Sequence, residues 1–147
     1  YFTDLPEFMH VLSILYTFFF AFIFIEVLRY LVKPSYINRD IIVAAGCGYL
    51  LLLEISSFVM EYLYYHNPDD FIGIRSDSAA TVFMDIVYFS SSTLTTIGFG
   101  DITPVGHHVR LICSLIGIVG QFYLVVLMGI IISKFSNLPH QPKKNQE

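Results

Sequence analysis

Gly98 and Gly100 stand two residues apart in TLTTIGFGDITP, residues 93–104, among Thr95, Thr96, Ile97, Phe99 and Asp101. The stretch lies between strongly apolar runs. Its chemistry is one of the backbone. Glycine accepts dihedrals that a Cβ forbids. Alternating it with Ile97 and Phe99 lets successive carbonyls turn to one side while the larger side chains anchor behind. The product is a column of carbonyl oxygens along a narrow axis, able to replace the water shell of a dehydrated cation. Irregular backbone at membrane depth is tolerated only where it lines a cavity or is buried in protein.

The elements around the stretch must therefore be membrane elements, and composition agrees. The chain has 147 residues, of which 55% are hydrophobic, 16% aromatic and 14% charged. A soluble domain carries about 25% charged residues. Mean hydropathy is +0.65. Three runs are long enough to span, given that a spanning helix needs about 20 largely apolar residues. They are Met9–Val32, Ile41–Tyr65 and Leu111–Ser133. A fourth, Ala79–Leu94, is polar at its C-terminal end and leads straight into the loop. At 1.5 Å per residue it reaches roughly 24 Å, short of the hydrocarbon thickness. It is predicted to be a re-entrant helix. The fold expected is an all-α membrane protein of three transmembrane helices, a re-entrant helix and a loop.

Loop charges set an orientation. Arg29, Lys33 and Arg39 cluster at the junction of the first two spans, and Lys134, Lys143 and Lys144 follow the third. Cationic loops belong on the cytoplasmic side. The acidic start YFTDLPE and the loop HNPDDFIGIRSDS fit the outside. The N-terminus is expected outside and the C-terminus in the cytoplasm, in a plasma membrane. The tail SNLPHQPKKNQE reads as a linker to a cytosolic regulatory domain, and a start at Tyr1 rather than Met points to an upstream segment.

Residues 95–101, TTIGFGD, resemble the selectivity signature of potassium channels, in which valine and tyrosine stand where this chain has Ile97 and Phe99. The order span, re-entrant helix, filter, span resembles the pore domain of the tetrameric cation channels over residues 41–135. Residues 1–40, with an extra helix, and 136–147 fall outside that domain. The resemblance implies potassium sites at the carbonyls of Thr96, Ile97, Gly98 and Phe99, with Gly100 completing the filter and the Thr96 hydroxyl closing the innermost site. It places Asp101 at the outer mouth, where a ring of carboxylates concentrates cations. It implies three identical partner subunits, since one loop supplies one wall, with lipid around them, K+ as the permeant ion and no cofactor. Phe99 lacks the hydroxyl that braces the family's filter. Tyr88 and Phe89 occupy the aromatic positions behind it, the chain having no tryptophan, and Ser92 stands where some relatives carry glutamate. A hydrogen bond from Tyr88 to Asp101 is the expected brace. Gly120 matches the family's hinge glycine, with close packing beside Gly117 as the other reading. Gln121, Leu124, Met128 and Ile132 share one helical face and would line the cavity and gate.

The remaining residues take plainer readings. Glu54, in the second span, shares a face with Ser57 and Glu61 and is expected to bond to the re-entrant helix or support the filter, with direct ion binding as the other reading. Glu26 pairs with Arg29; one arginine is no gating-charge series. His107 and His108 read as a solvated loop, and Asn38 as a helix cap. The adjacent aspartates of HNPDDF fall short of a calcium loop. Cys47 and Cys113 read as small buried apolar groups. A net charge of −4 argues against nucleic acid as a partner. No nucleophile–base pair marks an enzyme. A weakly selective cation pore shares every feature above, whereas potassium-uptake subunits place four filter-like loops in one chain and this chain has one.

Overall fold

The computed structural model describes residues 5–33 and 39–136. Four helices follow in order: α1 (Leu5–Val32), α2 (Arg39–His66), α3 (Ala79–Leu94) and α4 (His107–Ser136). Three of them, over His10–Val32, Asp40–His66 and His107–Ser133, are long and apolar enough to cross a membrane. α3 has the bounds the sequence predicts. α4 starts earlier than the apolar run, so His107 and His108 form its exposed first turn rather than a loop. Asn38 and the C-terminal tail lie outside the described residues. Among the described residues the helices are joined by a 3₁₀ turn at Pro68–Asp70 and a two-residue antiparallel ladder, β1 (Phe71–Ile72) against β2 (Thr103–Pro104), with Phe71 opposite Pro104.

α1 and α2 form an antiparallel pair. At one end Leu31 is buried with Ile41 and Ala45. At the other the Ser13 hydroxyl donates to Glu61 at 2.9 Å. Glu61 thus reaches back to α1, not to the re-entrant helix as its face in the sequence suggests. Aromatic rings fill the space between these ends, with Tyr16 and Phe20 stacked on Phe58. The Glu26–Arg29 pair forms at the exposed surface of α1.

Two cores hold α3 in place. The outer one joins α2, α3, the start of α4 and the loop strands through Met60, Ile86, Phe89, Val109, Phe71 and Ile102. Phe71 and Ile102 come from water-side loops, where burying such a side chain contributes about 1.5–3 kcal/mol. Between the spans that term vanishes, because lipid is as apolar as leucine, and close packing takes over. The inner core shows this. Leu52, Leu94 and Tyr123 are buried together, with Phe24 of α1 against Tyr123. The Tyr123 hydroxyl crosses to α2 and donates to the Ala45 carbonyl at 2.7 Å. Cys113 is buried as expected, while Cys47 is exposed on the surface of the helix bundle.

Gly48 makes that crossing possible, since a Cβ there would stand 2.3 Å from the Tyr123 hydroxyl oxygen. Gly48→Ala should therefore destabilise the chain by about 1–3 kcal/mol. In a chain already carrying Tyr123→Phe the same change should cost markedly less. Thermal unfolding of the four variants in detergent measures the coupling.

Candidate functional site

α3 ends where the loop begins, and its last turn is built to hold the loop. Ser78 caps the start, accepting from the Thr81 amide at 3.2 Å, a contact of about 1 kcal/mol. The end is rich in hydroxyls that bond back along the helix. Ser91 donates to the Val87 carbonyl at 2.7 Å and Thr93 to Phe89 at 2.9 Å. This leaves the terminal carbonyls of α3 for the loop. Ser91 accepts the Thr95 amide, Thr93 the Thr96 amide, and Ser92 both the Ile97 amide at 3.0 Å and the Gly98 amide at 3.2 Å. Ser92 supports the loop through its main chain; its hydroxyl donates to Phe89.

The backbone then alternates in hand. Thr96, Gly98 and Gly100 have φ of 61°, 56° and 81°, while Ile97 and Phe99 lie outside the left-handed region. Alternation of right- and left-handed residues turns successive peptide units the same way, amides to one side and carbonyls to the other. With the amides of 96–98 directed at α3, the carbonyls at the other ends of the same peptide units, those of residues 95–97, face away from it, and the alternation carries the same turn on to Gly98 and Phe99. Among the described residues, no hydrogen bond is accepted by the carbonyls of Thr96, Ile97, Gly98 or Phe99. Thr96 is a β-branched residue in the left-handed region, where such residues are outliers and strain concentrates at functional sites. Gly98 and Gly100 have open space where a Cβ would lie. Their need for glycine is therefore one of dihedral angle, not of room.

Tyr88 holds the far end of the loop twice over. Its hydroxyl donates to Asp101 Oδ2 at 2.8 Å, the brace expected from the sequence. Its ring stacks on Phe99 with centroids 6.0 Å apart and planes 11° apart. Asp101 Oδ1 accepts the Ile102 amide at 3.1 Å. Phe89 is not brought to the loop. It is buried on the other side of α3, edge-on to Phe71. Ile97 and Phe99 are 58% and 66% exposed in the single chain.

Two contacts outside the sequence reading lock the loop from above. Gly73, at φ 96°, approaches the Asp101 carbonyl so closely that a Cβ would stand 2.1 Å from it. Arg75 clamps Asp85 on α3, through its amide at 2.9 Å and its guanidinium at 3.1 and 2.6 Å. The signal was present in FIGIRSD, a glycine and a lone cation in an acidic loop, but nothing in sequence says which carboxylate the arginine meets. Both contacts border a cavity of about 400 Å³ shared with Tyr88 and Asp101.

On α4, Gly120 is buried against α3. A Cβ there would lie 2.5 Å from Leu94 Cδ2 and 3.3 Å from the Leu94 carbonyl oxygen. Gly120 is thus a crossing-point glycine, as the packing reading has it; Gly117 stands farther off, with the Thr93 carbonyl at 4.0 Å. Met128 and Ile132 are 57% and 63% exposed and Gln121 is exposed. Leu124 is not wholly on that open face, because it packs partly against Leu52, Leu94 and Tyr123. Glu54 is half-buried in α2.

The hydrogen bonds from the Arg75 guanidinium and amide hold the Asp85 carboxyl below the usual carboxylate range. A depressed folded-state pKa contributes stability above the unfolded value, lost as pH falls through the folded one. The loop clamp should thus be intact at neutral pH and fail only in acid, below about pH 4. Asp85→Asn should lower the melting temperature at pH 7 and flatten its acid dependence. Melting curves from pH 3 to 8 check both.

The ion channel family profile matches residues 48–137, more than half of the chain. The potassium channel protein kcv of Paramecium bursaria Chlorella virus 1 is 32% identical over 79 residues, covering 52% of this chain and 82% of that protein. The human potassium voltage-gated channel subfamily A member 7 is 30% identical over 73 residues, covering 50% of this chain and 16% of that much longer protein. No solved structure matches. With three helices fit to span a bilayer, the chain is an integral membrane protein that belongs to the ion channel family.

Proposed function

We propose that four copies of this chain surround one axis and conduct potassium passively, in preference to sodium, through the backbone of residues 96–100. The observation that carries this reading is the alternating hand at Thr96, Gly98 and Gly100, with the amides spent on α3 and the carbonyls left free. One chain provides one wall, so the oxygens need three more to complete a coordination shell. A dehydrated cation is then held at the carbonyls of Thr96, Ile97, Gly98 and Phe99, the Thr96 hydroxyl completing the innermost site. The C-terminal end of α3, partly negative, faces the cavity below. Asp101, held by Tyr88, concentrates cations at the mouth. Both curated relatives are potassium channels by name, which supports the choice of ion.

The cationic segment with Arg29, Lys33 and Arg39 puts the N-terminus outside and the C-terminus in the cytoplasm of a cell membrane. The open face of α4 makes the inner gate. Rings of Met128 and Ile132 from four chains form an apolar constriction that stops ions by dewetting, and bending at Gly120 widens it. The pore domain comprises residues 41–135, with α1 as a peripheral helix.

Purified protein in liposomes, assayed for potassium against sodium flux, tests the filter. Potassium should pass and sodium should not, and Gly98→Ala should abolish flux because its backbone angle becomes strained. Equal flux of both ions would indicate a weakly selective pore, and normal selective flux in Gly98→Ala would remove the filter assignment.

Met128→Ser and Ile132→Ser test the gate. Each should raise resting flux severalfold by wetting the constriction, with the potassium preference unchanged. Resting flux equal to the parent's in both would move the gate to the filter.

A further inference from the structure

The spans also hold a carboxyl that conduction leaves unused. Glu61 is 3% exposed. One of its oxygens accepts the Ser13 hydroxyl, and among the described residues no cationic side chain pairs with it: Arg29 is bound to Glu26 and Arg75 to Asp85. One hydroxyl is a single donor to a group with two acceptor oxygens. Ionisable groups at this depth are costly unless compensated, and they mark functional sites.

Glu61 borders a cavity of about 300 Å³ between α1, α2 and the first turn of α3. Tyr16, Phe58 and Phe83 form its aromatic walls, and Ala79 and Ala80 leave the space open by their small size. The walls are fixed to one another. Tyr16 stacks on Phe58 at 5.1 Å and Phe58 meets Phe83 at 6.0 Å. The result is an apolar, aromatic groove, open on one side, with one acidic group to orient a ligand.

We propose that this cavity binds an amphiphilic primary amine, its ammonium on Glu61 and its hydrocarbon body against Tyr16, Phe58 and Phe83. Glu61 is the acidic group of the lining, so a basic amine can take its proton and pair with it as an ammonium, and the ring faces favour that cation. The volume fits about ten non-hydrogen atoms at roughly 30 Å³ each. The occupant would lie on the first turns of α3, the helix whose other end holds the loop.

An octylamine carrying a diazirine, photolysed with the full chain in lipid nanodiscs and mapped by mass spectrometry, tests the site. Adducts should fall on the cavity walls of α1, α2 and α3, and the matching octanol probe should leave them unlabelled. Glu61→Gln should reduce the adducts at least tenfold, because the ammonium then loses its counter-charge in a desolvated site. Ala80→Phe fills the space while keeping Glu61, and it should give the same loss even if the first variant fails to fold. Equal labelling by amine and alcohol, or labelling unchanged in Ala80→Phe, would overturn the site. The readout involves no ion flux, so it stands or falls apart from the proposed conduction.

Discussion

The carbonyl of Ser92 takes two amides, those of Ile97 and Gly98, and the geometry of the site depends on that double acceptance. A peptide unit has two polar ends pointing in opposite directions. Once the end of α3 claims the amides, the oxygens of the same units must look the other way. The helix can make the claim because its last carbonyls have no partners further along the helix. Its hydroxyls bond back to carbonyls one turn earlier instead of competing at the end. In a soluble protein, oxygens turned out in this way would meet water. In a membrane they demand a polar occupant, and a cation stripped of its hydration shell supplies one.

Everything around the loop fixes α3, because the loop can be no better placed than the helix that holds it. The outer core packs Ile86 and Phe89 against α2 and the start of α4, and the inner core seats Leu94 beside Tyr123 and Leu52. Arg75 ties the loop above to Asp85 at mid-helix, and Gly73 presses on the Asp101 carbonyl. Tyr88 closes the far end, with its ring on Phe99 and its hydroxyl on Asp101. Phe99 has no hydroxyl to offer, so within the chain stacking holds the ring and Tyr88 supplies the hydrogen bond. α1 stands apart from this scheme and meets the rest mainly through α2.

The parts legible in sequence were those governed by local pattern. Runs of apolar residues gave the spans, and the pattern of Ala79–Leu94 gave a short fourth helix with its bounds. Glycine spacing gave the dihedral demand at 98 and 100, though the left-handed Thr96 carries no such signal. The parts that failed to show were contacts between distant segments. Phe89 and Tyr88 are neighbours in sequence on a helix, and 100° of rotation sends one to the core and the other to the loop. Helical periodicity put Glu61 on a face with Glu54, but only the packing of α1 shows that Ser13 meets it. Leu124 falls in register with Met128 and Ile132, yet the crossing of α4 over α3 turns it partly inward.

The central claim is that the carbonyls of residues 96–99 from four chains coordinate a dehydrated cation. Diffraction from crystals of the purified protein grown with thallium would test it most directly, since thallium resembles potassium in size and scatters anomalously. A column of anomalous peaks on a fourfold axis, between the Thr96 hydroxyl and the Phe99 carbonyl, should appear. A tetramer whose axis carries no peak at that level, or an assembly that does not bring four loops together, would contradict it.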